Sequence, residues 1–571
     1  MISAVVFLVC SISISHQTIV TAKGNLTTET EFTVHEEKRY EKGKPLYLTP
    51  FIQNNKIEEA LNLSKVNDLI NSVESYSGFL TVDKRFETNL FFWFIKADSE
   101  NWENLPLLLW LQGGPGMTSL YALFCENGPF KINRESSDTF NLEKRQYAWT
   151  DEYNVIYLDN PAGTGYSHTN SQRGYSKNQN QVSNNLYKAL IQFLTLFPSL
   201  QRTNFYITGE SYAGKYIPAL GQKIHNKNKK NKTKINLKGL FIGNAFVSPR
   251  DQLIYGDYLK MIGLIDENQH HIFNNHLAKV AVLIDKKEWL NATDKFSELF
   301  FGMFYPHPTL FYNFTGLPTY YNYVYDFPEA DFENFEQFIT LPLTRNKIHV
   351  GEIEWGDHMT VAHHLKADFM KSVRPQLEKL LEHYDVLFYN GQLDIICPYP
   401  GIANLFRRLK WSASEDYKHA KRMKWYVDGK LAGYYKKAGR LTDVMIRNSG
   451  HLVPLDNPLW AFTLIRDFVS KTFAFVLLEL FTLLPIQHFV ALEDTLGTGE
   501  HSLENEDKDE DTGEPLFLTP YIENNRIAEA LSLSKVTGLN TSVVSHSGFL
   551  TVHKQLKTNL FFWFIKANSE N

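Results

Sequence analysis

Residues 204–216 of this 571-residue chain read NFYITGESYAGKY and decide the fold. The aromatic and β-branched residues of NFYIT predict a strand, which ends at Gly209. After Ser211, one helical stripe collects apolar side chains: Tyr216, Ile217, Leu220 and Ile224. A strand that turns sharply into a helix at such a serine is a nucleophile elbow, whereas a serine that only caps a helix is the competing interpretation. Ser211 is our candidate nucleophile.

Strand-like and helix-like segments alternate along the rest of the chain. We predict strands at 89–96, 106–111, 154–159, 204–208, 238–243, 385–390 and 442–447, and helices such as 181–197 and 375–383. This alternation indicates an α/β protein, with a mostly parallel sheet covered by helices on both faces. About 140 residues separate Gly243 from Asp385, too many for one crossover, so we predict an inserted cap.

Composition excludes several classes of protein. With 43% apolar, 14% aromatic and 21% charged residues, the chain is neither disordered nor a coiled coil. Its net charge is −5 and no long basic stripe is present, so no nucleic-acid partner is predicted. The basic run at 226–232 is interpreted as a solvated loop. Three cysteines exclude a disulfide scaffold.

The N-terminus predicts entry into the secretory pathway. Residues 1–22 carry a short apolar stretch followed by small or β-branched residues, as in a signal peptide. Glycosylation sequons occur at Asn25, Asn62, Asn231, Asn291, Asn313 and Asn540, and we expect N-glycans at Asn62, Asn231, Asn291 and Asn313. A secreted or lysosomal/endosomal location is therefore predicted.

An internal repeat is the most unusual feature of the sequence. Residues 43–101 recur at 513–571 without a gap, and 41 of 59 positions are identical. Two copies so far apart cannot stack as a solenoid. The apolar segment 473–485 contains Glu479 and Pro485, which argue against a membrane span. We interpret 473–571 as the truncated start of a tandem second copy, which a fusion during gene prediction would produce.

A serine nucleophile needs a base, and the base needs an orienting carboxylate. Asp394 follows the predicted strand 385–390, and His451 follows the predicted strand 442–447. In folds with a nucleophile elbow, the acid and then the histidine follow the serine along the chain, each on a loop after a later strand. Asp394 and His451 match this order and this placement. Asp394 and His451 are therefore the candidate acid and base.

Backbone N–H groups must also meet the negative oxygen of the tetrahedral intermediate. Tyr212 directly follows Ser211, so its amide is one candidate donor. The loop WLQGGPG (110–116) follows an early predicted strand, and its glycines allow close approach of the backbone. We assign the second donor to the amide of Gly114.

Five motifs together give the chain a specific resemblance. They are WLQGGPG (110–116), LDNPAGTGYS (158–167), GESYAGKY (209–216), NGQLDIIC (390–397) and NSGHLVP (448–454). Over roughly residues 40–470 the chain resembles the serine carboxypeptidase family (peptidase family S10), and most of all its vitellogenic-like branch. The resemblance implies an α/β-hydrolase fold with an inserted cap, and removal of single residues from peptide C-termini at acidic pH. It implies no metal and no cofactor, and it supports the triad and oxyanion assignments. We predict core residues 23–245 and 373–472 and a cap at 246–372.

The resemblance also implies a site for the terminal carboxylate of the substrate. The matching positions are Gln112, Gly113, Glu126 and Glu210, with Trp110 packed nearby. Gln112 replaces the commoner Asn but keeps an amide donor. An ionised glutamate would repel a carboxylate, whereas two adjacent glutamates that share a proton can donate a hydrogen bond. Binding is therefore predicted to weaken as the pH rises.

The cysteines depart from the family pattern. Met117 stands where relatives often have a bridging cysteine, and Cys397 matches a free thiol beside the substrate pocket. We expect Cys125 and Cys397 to be unpaired, although a bridge between them stays open.

Two other functions compete with the peptidase. An acyltransferase would use the same triad, and a secreted binding or storage protein would keep the fold without turnover. The intact triad argues against the idle protein, and a homodimer is left open.

Overall fold

The computed structural model describes residues 32–35, 41–67, 69, 73–136, 139–230, 234–300, 304, 307–325, 329–471, 515–524, 526–536, 545–553 and 558–565. They belong to two compact units, Met1–Phe481 and Thr482–Asn571. The predicted signal peptide, the segment 473–485 and the sequons at Asn25, Asn231 and Asn540 lie outside the described residues.

The first unit contains thirteen strands among its described residues. They are β1 (Phe32–His35), β2 (Ser75–Asp83), β3 (Thr88–Ile95), β4 (Leu107–Leu111), β5 (Phe130–Ser136), β6 (Thr139–Lys144), β7 (Asn154–Leu158), β8 (Phe205–Glu210), β9 (Leu237–Gly243), β10 (Asp385–Gly391), β11 (Met423–Val427), β12 (Lys430–Ala438) and β13 (Leu441–Ile446). Ten form one sheet in the order β11-β12-β13-β10-β9-β8-β4-β7-β3-β2, and β1, β6 and β5 form a small separate sheet.

The helices of the first unit surround the large sheet. They are α1 (Thr49–Gln53), α2 (Ile57–Ser64), α3 (Gln179–Leu196), α4 (Ala213–Asn228), α5 (Pro249–Gln252), α6 (Tyr255–Met261), α7 (Glu267–Asp285), α8 (Trp289–Ser297), α9 (Leu310–Thr315), α10 (Glu329–Thr340), α11 (Pro342–Lys347), α12 (His358–Phe369), α13 (Arg374–Leu381), α14 (Tyr399–Arg408), α15 (Ser414–His419), α16 (Val453–Asp456) and α17 (Pro458–Ser470). Because α4 continues to Asn228, the interpretation of the basic run as a loop is wrong for residues 226–228.

The middle of the large sheet is parallel. Neighbouring strands run parallel from β13 through β10, β9, β8 and β4 to β7, and both margins are antiparallel. Every residue of β4, β7 and β8 is buried, as expected for strands covered on both faces. The predicted α/β-hydrolase architecture is confirmed, and each predicted strand and helix matches within two residues.

Side chains alternate between two apolar cores. On β3, Phe92 and Phe94 enter the core under α3 and α4, whereas Phe91 and Trp93 enter the core on the opposite face. Helices α5–α12 lie between β9 and β10, in the part of the chain predicted to form the cap. The exact limits of core and cap stay a prediction.

The second unit repeats the fold of residues 43–101. It contains α18 (Thr519–Glu523), α19 (Ile527–Leu533), β14 (Ser545–His553) and β15 (Thr558–Ile565). The register of β14 on β15 equals that of β2 on β3, including the same irregularity. The Thr551 amide donates to Thr519 Oγ1 at 2.7 Å, as Thr81 does to Thr49. Within the described residues of this unit, Ile522 and Leu531 are exposed.

Among the described residues, no helix combines the length and the apolar character that crossing a bilayer requires.

Candidate active site

The turn at Ser211 has the geometry of a nucleophile elbow. Ser211 has φ +61°, in the left-handed region that non-glycine residues rarely adopt. Its N–H donates to Gly243 O at 3.0 Å, and its carbonyl accepts from the amide of Phe246 at 2.9 Å. A Cβ on Gly209 would lie 2.1 Å from Leu111 O, so only glycine fits there. The strained turn raises the serine above the carboxyl end of β8.

Asp394 and His451 meet on neighbouring loops at the same edge of the sheet. They follow β10 and β13, and His451 Nδ1 lies 2.8 Å from Asp394 Oδ2. Both side chains are buried, with exposed fractions of 0% and 2%. A carboxylate only accepts hydrogen bonds, so this contact favours the imidazole tautomer with its proton on Nδ1, in which Nε2 is an acceptor.

Two further groups hold the Asp394 carboxylate in place. Asn244 Nδ2 donates to Oδ2 at 2.7 Å and to Gly450 O at 3.1 Å. The Cys397 amide donates to Oδ1 at 3.0 Å. Asn244 follows β9 directly, so the carboxyl ends of three parallel strands are tied together at the acid. Sequence reasoning missed Asn244, although a polar residue directly after a buried strand is a usable signal.

A segment before α10 supports the loops that carry the acid and the histidine. The His451 amide donates to Tyr321 O at 2.6 Å, and the two rings lie 5.4 Å apart. The Ile395 amide donates to Tyr320 O at 3.2 Å. Both tyrosines belong to the region predicted as cap, so this region supports the loops that carry Asp394 and His451.

The loop 112–114 lies against the serine. A Cβ on Gly113 would come 2.6 Å from Ser211 Cβ and 2.7 Å from the amide nitrogen of Tyr212. The backbone of this loop and the Tyr212 amide therefore border the same small space beside Ser211. Gly114 has φ +103°, which favours glycine there. This arrangement suits two amide donors converging on one oxygen.

A cavity of about 390 Å³ opens above these residues. Its walls are Gln112, Gly113, Gly114, Met117, Tyr121, Glu210, Ser211, Tyr320, Tyr321, Phe332, His358, Met359, Ile396, His451 and Leu452. Ser211 and His451 thus face a common space. Five predicted site residues do not belong to these walls, and all of them are buried: Trp110, Glu126, Tyr212, Asp394 and Cys397.

Two glutamates and one glutamine form a buried cluster beside the serine. Gln112 Nε2 donates to Glu126 Oε1 at 3.0 Å and to Glu210 Oε1 at 2.9 Å. Trp110 Nε1 donates to Gln112 Oε1 at 2.7 Å, which fixes the orientation of the amide. The other oxygen of each carboxyl, Oε2, has no hydrogen-bond partner within the described residues. Two carboxyls held by one amide cannot both ionise cheaply, so their charges oppose each other.

Burial governs the ionisation of this cluster. Glu126 and Glu210 are 1% and 0% exposed. Loss of water raises the pKa of both carboxyls, and the charge of Glu126 raises the pKa of Glu210 further. The pair therefore keeps a proton well above the usual carboxyl range and can donate to an anion.

Cys125 and Cys397, the cysteines among the described residues, are free thiols, as expected. Asp394, Cys397 and His451 offer an oxygen, a sulfur and a nitrogen within 4.8 Å of one another, a spacing that a metal could use. Burial raises the pKa of Cys397 well above its usual value and disfavours the thiolate that a metal needs. The Asp394 carboxylate already accepts a hydrogen bond from His451. The three side chains are therefore better suited to proton transfer than to metal binding.

Most of the remaining cavity wall was not predicted. Tyr121, Phe332, His358 and Met359 reach the cavity from a turn after the GGPG loop and from two helices between β9 and β10. Tyr320 and Tyr321 stand in an aromatic-rich stretch of the predicted cap, residues 301–327, and this composition is a usable signal for these two residues only.

The sheet, the elbow and the buried acid–histidine pair define an α/β-hydrolase. A solved structure with this fold is Kex1(delta)p, a prohormone-processing carboxypeptidase from Saccharomyces cerevisiae. Its TM-score is 0.61 at 24% identity, covering 72% of this chain and 94% of that one. This likeness supports the fold alone.

Sequence comparison gives the family. A family model for serine carboxypeptidases matches residues 65–471. The venom serine carboxypeptidase of Apis mellifera is 44% identical over 441 residues, 77% of this chain and 93% of that protein. The vitellogenic carboxypeptidase of Aedes aegypti is 45% identical over 438 residues, 76% of this chain and 91% of that protein. The chain belongs to the serine carboxypeptidase family, and its function is that of a serine-type carboxypeptidase. The resemblance seen in the sequence is thereby confirmed.

Proposed function

We propose that Ser211, His451 and Asp394 form a catalytic triad that hydrolyses the C-terminal peptide bond of the substrate. The proposal rests on the buried hydrogen bond of 2.8 Å between Asp394 and His451, in which Nε2 of the imidazole stays available as an acceptor. His451 and Ser211 also line the same cavity. Ser211 Oγ attacks the carbonyl carbon of the last peptide bond while His451 Nε2 takes its proton. Asp394 keeps the imidazole in the required tautomer and stabilises its positive charge.

The remaining steps use the loop beside the serine. The amides of Gly114 and Tyr212 donate to the oxyanion of the tetrahedral intermediate. His451 then gives its proton to the leaving amino group, and the terminal residue departs, leaving an ester on Ser211. Water, deprotonated by His451, hydrolyses that ester and restores the enzyme.

The carboxyl cluster supplies the exopeptidase specificity. Gln112 and Glu210 line the cavity beside Ser211, and Glu126 lies behind them. In its protonated state the pair donates a hydrogen bond to the terminal carboxylate, and Gly113 lets the backbone approach. A peptide chain that continues past this point brings no terminal carboxylate to accept this hydrogen bond. Binding of the free carboxylate therefore weakens as the pH rises through the raised pKa of the pair, which favours activity on the acidic side.

Labelling with a fluorophosphonate probe tests the nucleophile. We expect the protein to be labelled, Ser211→Ala to abolish labelling and peptide hydrolysis, and Ser412→Ala, at an exposed serine, to retain both. Undiminished labelling of a folded Ser211→Ala protein would contradict the assignment. Release of single C-terminal residues from a peptide, measured by mass spectrometry, separates a peptidase from an acyltransferase.

We infer that the protein acts in the secretory pathway, secreted or in lysosomes. Three predicted glycosylation sites, Asn62, Asn291 and Asn313, are exposed, as glycan attachment requires. Treatment of the native protein with a glycosidase should lower its apparent mass, and an unchanged mass would contradict this inference.

A further inference from the structure

Arg145 is a buried arginine that the proposed reaction does not use. It follows β6 directly and is 3% exposed. Its Nε donates to Gly128 O at 3.0 Å, and its Nη2 donates to Phe130 O at 3.2 Å and to Phe124 O. These carbonyls stand on both sides of Glu126 in the sequence. The guanidinium group therefore holds the turn that carries this glutamate.

The positive charge of Arg145 needs an anion close by. Among the described residues, every hydrogen bond that its side chain makes goes to a neutral carbonyl oxygen. A guanidinium group stays protonated at any pH at which a protein works. A buried charge is costly unless a second charge compensates it.

The carboxyl pair of Glu126 and Glu210 supplies this anion. Burial raises the pKa of Glu126, whereas the hydrogen bond from Gln112 and the charge of Arg145 lower it. A pair that keeps one proton carries one negative charge. The guanidinium group balances that charge, so the terminal carboxylate of a substrate meets a cluster without net charge.

Other titratable groups surround the pair and Arg145. Those that can carry a charge are Asp331, Asp394, His451 and Asp456. The thiol and phenol groups nearby stay neutral because burial raises their pKa; they belong to Tyr121, Cys125, Tyr157, Tyr321 and Tyr389. The acids oppose ionisation of the pair, whereas Arg145 favours it. Among these groups, Arg145 alone carries a permanent positive charge.

We propose that Arg145 is a positioning residue, which holds Glu126 in place and sets the highest pH at which the enzyme binds a terminal carboxylate. This inference rests on the proposed role of the carboxyl pair. Binding ends when the pair loses its last proton. A neighbouring positive charge favours that loss, so without the charge of Arg145 the proton should be kept to higher pH.

The test compares kcat/KM against pH for a blocked dipeptide and its C-terminal amide, with the full-length protein and its variants. Arg145→Met and Arg145→Gln remove the charge, so the alkaline limit for the free acid should rise by about one pH unit. Arg145→Lys keeps the charge and should keep the limit. The amide profile should stay unchanged, because the amide brings no carboxylate, and it reports any effect on His451.

Two results of this assay would overturn the inference. One is an unchanged or lower alkaline limit in the neutral variants, and the other is an equal rise in Arg145→Lys, which would show that the charge is not responsible. Coincident acid and amide profiles in the wild type would instead refute the role of the pair, and this inference with it.

Arg345 offers a matched control. It is 6% exposed and also donates to carbonyls, to Gly351 O at 3.0 Å and to Ile353 O at 2.7 Å, in the loop between α11 and α12. Arg345→Met should lower stability, as Arg145→Met does, but leave the alkaline limit unchanged. An equal rise of the limit in both variants would point to a loosened structure and overturn the inference.

Thermal unfolding at neutral pH tests the charge balance even where activity is lost. In the wild type, Arg145→Met leaves the negative charge of the pair uncompensated. In the variant with Glu126→Gln and Glu210→Gln, the same change removes an uncompensated positive charge. Arg145→Met should therefore lower the Tm of the wild type more than that of the double variant. Equal lowering in both would overturn the inference.

Discussion

Replacing both glutamates of the buried carboxyl pair, Glu126→Gln with Glu210→Gln, should remove the pH dependence of substrate binding. On the proposed mechanism, the wild-type pair holds a proton at acidic pH and donates it in a hydrogen bond to the terminal carboxylate. As the pH rises through the raised pKa of the pair, the proton is lost and the pair repels the carboxylate. Glutamine keeps an N–H donor in place of the carboxyl proton but does not titrate.

The size of the effect follows from burial. Both side chains are almost completely buried, so water does not screen the interaction. One charge-assisted hydrogen bond is worth about 1.5–3 kcal/mol, which corresponds to a loss of roughly 10- to 150-fold in kcat/KM at alkaline pH. The double variant should lack this fall.

The assay compares two substrates that differ only at the C-terminus. We would measure kcat/KM against pH for a blocked dipeptide with a free carboxylate and for its C-terminal amide. The free acid should lose activity at lower pH than the amide in the wild type, and the two profiles should coincide in the double variant. Coincident profiles in the wild type would refute the role of the pair.

Stability provides an independent readout of the same pair. A carboxyl whose pKa is raised by folding contributes stability that is fully present below its unfolded pKa of about 4.3 and is lost as the pH rises towards its folded pKa. The wild type should therefore lose more of its free energy of unfolding between acidic and neutral pH than the double variant. An equal loss in both proteins, measured by thermal unfolding, would mean that the pair is not protonated in the folded state.

Three other changes test separate parts of the site. Asp394→Asn should lower kcat by about 10⁴ with little change in KM, because the imidazole takes the wrong tautomer; a loss below tenfold would contradict the role of the acid. Gly113→Ala would bring a Cβ 2.6 Å from Ser211 Cβ and should lower kcat at least about hundredfold. Gly221→Ala is the control, because its nearest contact is the flexible end of Leu380 at 3.1 Å, and it should leave kcat unchanged. Truncation after Lys471 should leave kcat/KM unchanged, since all the described walls of the cavity belong to Met1–Phe481; lost activity in a folded truncated enzyme would show that the tail takes part.

The sequence predicted the framework of the site because local patterns determine it. Buried parallel strands are nearly continuous apolar runs, and the residues that follow them, Ser211, Asp394 and His451, converge because parallel strands end at one edge. The resemblance implied an amide donor at Gln112, and the structure shows that this amide donates to both glutamates.

The remainder of the site depends on long-range packing. Tyr321 and His358 reach the cavity from segments that are positioned by contacts with residues distant in sequence. The hydrophobic periodicity of a local window cannot predict such contacts. The pKa of the carboxyl pair likewise depends on burial by residues from β4, β8 and the turn at Glu126. Such quantities become visible only when the fold is known.

The most direct measurement of the central claim is the location of the acyl group during turnover. Rapid acid quenching of the enzyme with an ester substrate, followed by peptide mapping in a mass spectrometer, identifies the residue that is acylated. The account predicts one acyl group on Ser211, formed much more slowly when His451 is replaced by Ala. An acyl group on another residue, or hydrolysis without any covalent intermediate, would contradict it.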